Sequence, residues 1–341
     1  MNGDVSTRIR RHRLRRGASL VEYVLLVGLV ALAAFAGLRT FGKSAEAKAE
    51  SYAGRVTRLE GAESEPYEAS GAPSGTDNTG GNKKKPGFDP DKFKDATWKT
   101  IDGQPTITGE GDGRAVHPND VAQGQLANCY LISSLAAIAQ VNPELLEKNI
   151  EANGDGTYTV TLYKKADKPW WNPFASDYDK VEVRVTADFP VDKGGKPIFA
   201  QPGDSKDGKA ELWVMLYEKA YAQLNGSYTA IGNGGNAGVA LTTLTGRKSD
   251  EYAPKDLSFE TFAKYVTDGN AVTAGTPEKS DHKLIKDGTL VGWHVYYVTG
   301  VDTKARTVTV RNPWGWTPEP ITMSWEDFQG AFTYTDVNRT R

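Results

Sequence analysis

The sequence predicts an α+β fold, its helices and antiparallel strands segregated into two parts, with a single long helix in front. Three features carry the prediction. Two helical runs, "NCYLISSLAAIAQV" from Asn128 and "AELWVMLYEKAYAQLNG" from Ala210, lie in the middle of the chain. Period-two alternation marks "TYTVTLYKK" and "KVEVRVT", and two late runs, "GWHVYYVTGV" and "RTVTVRNPWG", are also strand-like. Ahead of them stands an apolar stretch of membrane-spanning length, cut off by a segment almost without large apolar residues.

The front of the chain is read first. Arg8, Arg10, Arg11, Arg13, Arg15 and Arg16 crowd the start, opposed by Asp4 alone. "GASLVEYVLLVGLVALAAFAGL", residues 17–38, follows and is long enough to cross a bilayer as a helix. The arginines keep the start cytoplasmic and send everything downstream outward. Glu22 near one end of such a helix is costly and asks for a reason. "GLRTFGKS", Gly37 to Ser44, matches a phosphate-binding loop letter for letter. That loop needs a strand before it, and here a membrane helix precedes it, so nucleotide binding is rejected. "SAEAKAESYAGRVTRLE" (44–60) continues as a polar helix, and "GAPSGTDNTGGNKKKPG" is a flexible linker with nothing to bury. Folded sequence resumes near Trp98.

In the folded part, a buried helix begins around Cys129, and Asn142 caps the next one, with Pro143 at its first position. The run from Ala210 reads as an amphipathic helix closed by Gly226. A net charge of −2 and ordinary apolar content give no reason to expect nucleic acid. The single cysteine, Cys129, cannot form an intrachain disulfide and leaves the compartment open. Taken alone it reads as a buried small hydrophobe. His117 and His282 read as surface histidines, and "GNGGNAG" (232–238) as a turn near a cleft. Trp170 and Trp171 sit in an insertion between two strands.

The last two strand runs are joined by "DTKA", Asp302 to Ala305, which suits a tight hairpin. A hairpin centred there pairs positions whose numbers sum to about 606 or 607. His294 then falls opposite Asn312 or its neighbour, and Pro313 ends the ladder. A histidine beside an asparagine is the pair that a cysteine nucleophile needs. A helix N-terminus and a neighbouring imidazolium lower a thiol's pKa. The histidine takes the thiol proton and later protonates the leaving amine, and the asparagine orients the ring. Gln123, six residues before the cysteine, is the candidate oxyanion donor.

These residues resemble the calpain family of cysteine proteases, which have the papain fold. The family's QGxLGDCWLL stands here as "QGQLANCYLI", its histidine motif as "WHVYYVTGV", and RNPWG is intact at Arg311 to Gly315. "SWEDFQGAF" resembles the closing segment, and the resemblance covers about residues 96–341. It implies Cys129 as nucleophile, His294 as base, Asn312 as orienter, Gln123 as oxyanion donor and Trp314 as a shield over the histidine–asparagine hydrogen bond. Ala127 and Asn128 replace Gly-Asp, Tyr130 replaces tryptophan, and Trp293 stands where a glycine usually precedes the histidine. The chemistry requires no cofactor. The family admits calcium, but the acidic loop after "NPWG" is largely missing and no EF-hand pattern occurs. The identity of any metal ligands stays open.

About residues 10–60 resemble a bacterial prepilin of the Flp type. The resemblance implies cleavage after Gly17 by a prepilin peptidase, Ala18 as the new N-terminus, and Glu22 meeting a neighbouring subunit during assembly by pilus machinery. An uncleaved signal anchor is the alternative.

The resulting organisation is a leader and pilin-like transmembrane helix (1–61, membrane contact through 18–38), a linker (62–95), a helical lobe carrying Cys129 (96–246) and an antiparallel β lobe carrying His294 and Asn312 (247–341). It describes a papain-like, two-lobed endopeptidase acting on protein or peptide substrates. The resemblance places it outside the bacterial inner membrane, in the periplasm or on a pilus. Two rivals stay open: a catalytically silent binding module on a pilus, and an acyl transferase using the same cysteine and histidine.

Overall fold

The computed structural model describes residues 96–107, 114–167, 176–203, 205–206, 208–315 and 319–340. The pilin-like helix, Gly17, Ala18, Glu22, the linker, Trp170 and Trp171 lie outside the described residues. Among the described residues no helix is long and apolar enough to cross a membrane.

Two separate hydrophobic cores organise what is described. The first is built by the helices Cys129–Val141, Trp213–Asn225 and Ala237–Thr245, together with the paired strands Thr157–Lys165 and Tyr178–Thr186. The second lies within a six-stranded, wholly antiparallel sheet and the helices Phe259–Thr267 and Trp325–Ala331 that pack on it. The strand order is Ile321–Ser324, Thr307–Arg311, Val295–Asp302, Ala271–Gly275, Tyr334–Asn338, Ser249–Tyr252. Helix Cys129–Val141 is the joint between the cores. It belongs to the first yet packs against Val295–Asp302 and Ala271–Gly275. Its Ser133 Oγ donates to Val295 O at 2.7 Å and Gln140 Nε2 to Thr299 O at 3.1 Å.

The helix from Trp213 differs from the amphipathic reading. Its first ten residues are all buried, charged Glu218 and Lys219 included. Lys219 Nζ donates to Thr186 O and Asp188 O, and Glu218 accepts from Asn128 Nδ2. Those partners let a seemingly polar stripe face inward. Asn142 precedes Pro143–Lys148 as expected, but its side chain donates to Thr340 O at 2.9 Å instead of capping. His117 and His282 are both half-buried. His117 Nδ1 accepts from Asn119 N, and His282 Nε2 lies 3.4 Å from Asp327.

The hairpin register is also corrected. Asp302 pairs with Thr307 and Val301 with Val308, so the turn is Thr303–Arg306, closed by Arg306 in the left-handed conformation at φ +53°. A bulge between Val298 and Gly300 then shifts the ladder, which ends at Tyr297 paired with Arg311. His294 and Asn312 therefore both lie just beyond the paired residues and are not directly opposed.

Candidate active site

The segment leading into the Cys129 helix is fixed by backbone bonds to three separate stretches. Gln123 N donates to Pro313 O (2.8 Å), Gln125 N to Ile198 O (2.9 Å), and Gly234 N to Ala127 O (2.9 Å). Gly124 must be glycine for this approach, because a Cβ there would stand 1.9 Å from Phe199 O. Asn128 precedes the helix without capping it. It is wholly buried, and its Nδ2 donates to Glu218 Oε1 at 2.7 Å, while Glu218 Oε2 accepts from Ala200 N at 3.1 Å. Burial pushes the Glu218 carboxyl up to about 7 against those two hydrogen bonds.

On the facing side, Asn312 Oδ1 meets His294 Nε2 at 3.0 Å and also accepts from Trp314 N at 3.1 Å. A backbone N–H can only donate, so the atom it meets on Asn312 is the oxygen. His294 Nε2 must then carry the proton in the neutral ring, which leaves Nδ1 with the lone pair that can receive a thiol proton. Trp314 lies 5.2 Å from the imidazole, centroid to centroid, and Tyr296 meets it edge-on at 5.1 Å. Thr276 clamps the histidine's backbone: its N–H donates to His294 O and its hydroxyl oxygen accepts from His294 N–H, while the hydroxyl hydrogen points to Val291 O at 2.7 Å, with His294 O at 3.1 Å.

Cys129, His294, Gln123 and Trp314 line one cavity of about 470 Å³. Asn312 sits behind the histidine, 5% exposed. Gln123 Nε2 donates one hydrogen to Leu126 O at 2.6 Å, leaving its second N–H for an oxyanion. Gly234 and Gly235, from the glycine-rich turn, line the same cavity. Trp293 does too, 38% exposed and in the left-handed conformation at φ +50°, a backbone state natural to the glycine the motif usually has there.

Electrostatically, burial favours the neutral form of both groups. Burial pushes the Cys129 thiol up, opposed by the N–H groups of Val295, Tyr130 and Cys129 itself. Burial pushes the His294 imidazole down to about 4, opposed by its bond to Asn312. Three backbone donors nevertheless surround the position where a thiolate would form. Sequence reasoning missed Val295 N–H and Thr276, since neither role follows from a side-chain motif.

Among the described residues no three His, Cys, Asp or Glu side chains gather as a metal-ligand set.

A sequence profile described as calpain family cysteine protease matches residues 99–329. The chain belongs to the calpain family of cysteine proteases. Several calpains are similar to this chain. The calpain-type cysteine protease DEK1 of Arabidopsis thaliana is 34% identical over 212 residues, which is 58% of this chain and 9% of that protein. Calpain-12 of Mus musculus is 29% identical over 257 residues, covering 71% of this chain and 33% of the relative. The calpain-1 catalytic subunit of Homo sapiens is 29% identical over 238 residues, covering 64% and 30%. The chain thus spans about a third or less of the length of these calpains.

Proposed function

We propose that this chain is a calpain-type thiol endopeptidase that hydrolyses peptide bonds in protein substrates. The observation that carries the reading is the His294–Asn312–Trp314 arrangement opening onto the same cavity as Cys129 at the start of a buried helix. His294 Nδ1 takes the Cys129 proton and the sulfur attacks the scissile carbonyl carbon, its negative charge passing to the oxygen. Gln123 Nε2–H faces that oxygen, joined by the backbone N–H at the helix start. The imidazolium then protonates the leaving amine, and water attacks the thioester with His294 as base.

The test uses the full-length protein on an unfolded protein substrate, with calcium and with chelator. Cys129→Ala is expected to lose at least about 10³-fold in kcat/KM while keeping its circular dichroism spectrum. Equal cleavage by the variant would sink the reading, and loss of activity in the chelator arm would reveal a metal requirement. Acyl transfer is the second outcome, visible as amine incorporation into the products.

The reading extends to display. Its support is the arginine cluster, the apolar stretch 17–38 and the spacing from Gly17 to Glu22. A prepilin peptidase removes the leader after Gly17, and the linker (62–95) holds the two lobes, 96–246 and 247–341, outside the inner membrane. Mass spectrometry after co-expression with a prepilin peptidase is expected to find Ala18 as the N-terminus. An intact leader would favour a plain signal anchor.

A further inference from the structure

Among the described residues that line the catalytic cavity, Glu251 is the one acidic side chain. Glu251 lies in strand Ser249–Tyr252, the outermost strand of the six-stranded sheet, and its side chain is exposed. Asn236 holds it in place. The Asn236 oxygen caps the helix Ala237–Thr245 by accepting from Val239 N at 2.8 Å, so its NH₂ is turned to Glu251 Oε2 at 3.0 Å. The second oxygen of Glu251 is left for a ligand.

Directly across the strand pair from Glu251 is Asp336. Opposed residues of an antiparallel pair project from the same face, and like charges so placed repel. Asp336 is 1% exposed, and neither of its carboxylate oxygens has a hydrogen-bond partner. The Gly238 N–H and the Thr273 hydroxyl face it without forming a hydrogen bond of normal geometry. Burial, then the charge of Glu251, hold Asp336 up to about 7. Tyr334, two residues before Asp336 and so on the same face, lines the catalytic cavity with its ring laid against Gly275. Glu251 also borders an adjoining pocket of about 330 Å³, whose lining includes Asp336 and the exposed Lys164, Lys165 and Lys248. Lys248 sits 3.8 Å from Asp250. None of the three lysines lines the catalytic cavity.

An aromatic face beside a carboxylate, with a second carboxylate unsatisfied behind it, is a site short of one cation. We infer that Glu251, with Asp336 behind it and Tyr334 beside it, forms a subsite that takes a lysine or arginine side chain of the bound peptide. The inference rests on the cleft being a peptide-binding cleft. A bound ammonium or guanidinium ion pairs with the open oxygen of Glu251, lies against the Tyr334 ring and relieves the Glu251–Asp336 repulsion. Specificity at this position is then electrostatic, set by strands that are distant in sequence from the catalytic motifs.

Two measurements on the full-length protein test this. In the first, Cys129→Ala is titrated with matched peptides carrying lysine or norleucine at each position in turn. One position is expected to favour lysine by at least about ten-fold, and adding Glu251→Gln is expected to abolish that ratio. In the second, active enzyme cleaves a peptide library and the cut sites are mapped by mass spectrometry. Lysine and arginine should be enriched at one fixed distance from the cut. Glu251→Lys should reverse the enrichment toward aspartate and glutamate. Cleavage without basic enrichment, or enrichment that survives Glu251→Gln, overturns the subsite and leaves the protease reading intact. Lysine-selective binding without any cleavage does the opposite. Should Glu251→Gln fail to fold, the wild-type library still decides, since absent enrichment is sufficient to reject the subsite.

Discussion

The two walls of the cleft are held in different ways. The cysteine wall is buried and over-determined. Gln123, Gln125 and Ala127 are each tied by a backbone bond to a different stretch of chain, and Asn128 is locked onto Glu218 beneath the helix. The histidine wall lies at the end of the ladder between the two late strands. His294 and Asn312 lie past the last paired residues, between the half-exposed indoles of Trp293 and Trp314. One wall positions its group by backbone hydrogen bonds to three distant stretches and a buried side-chain pair beneath the helix. The other relies on a few hydrogen bonds, from Thr276 and from the Asn312 side chain. The difference teaches that the nucleophile's position is a property of the fold, whereas the base's orientation hangs on single side chains.

The walls also carry opposite pH liabilities, and this is where the comparison is tested hardest. Glu218 is held up to about 7, so it is protonated in the folded chain where the unfolded chain ionises. Its contribution is complete below the ordinary glutamate range and is lost as pH rises from about 4.5 through about 7. His294 is held down to about 4, so its contribution is complete above about 6.5 and is lost as pH falls toward 4. Each limb amounts to about 3 kcal/mol at most. Asp336 adds to the alkaline limb from the histidine side. The Glu218 and His294 contributions largely offset each other between about pH 4 and 7, so with Asp336 added, urea unfolding at a series of pH values should show stability falling as pH rises toward 7. Glu218→Gln should make that fall shallower, with Asp336 keeping part of it. An unchanged alkaline limb would break the contrast.

Next in size is Asn312→Ala. Freed from its acceptor, the imidazole loses its tautomer and orientation. We expect kcat to fall about 100-fold with KM nearly constant, while Cys129 alkylation keeps its pH profile because the thiol's donors belong to the other wall and to Val295. A matching fall in alkylation rate would show that the two walls are not separable. The smallest effect is at Trp293. Trp293→Gly removes a bulky residue from the left-handed conformation and should raise stability by about 1 kcal/mol, measured as a higher unfolding midpoint, while opening the cleft beside His294. A drop in stability would mean that indole packing outweighs backbone strain.

Sequence by itself determined the local elements. The alternation of "TYTVTLYKK" matches the strand Thr157–Lys165, the helix begins at Cys129, and Gly226 at φ +106° closes the helix from Trp213. Period and punctuation are properties of neighbouring residues, so they are readable without the fold. The motifs "QGQLANCYLI" and "RNPWG" likewise identified a family whose profile covers residues 99–329. Tertiary structure alone decided what depends on partners from afar. The hairpin register turned on one left-handed arginine and one bulge, neither of which leaves a composition signal. The buried face of the Trp213 helix depended on Thr186, Asp188 and Asn128, residues 31 to 90 positions away from their partners. The shift of Cys129 and His294 toward their neutral forms followed from burial, which no motif records. The opposition of Glu251 and Asp336 arose because the sheet pairs its last strand with one from 85 residues earlier. Sequence sets conformational preference residue by residue, while desolvation and long-range pairing exist only once the chain has closed on itself.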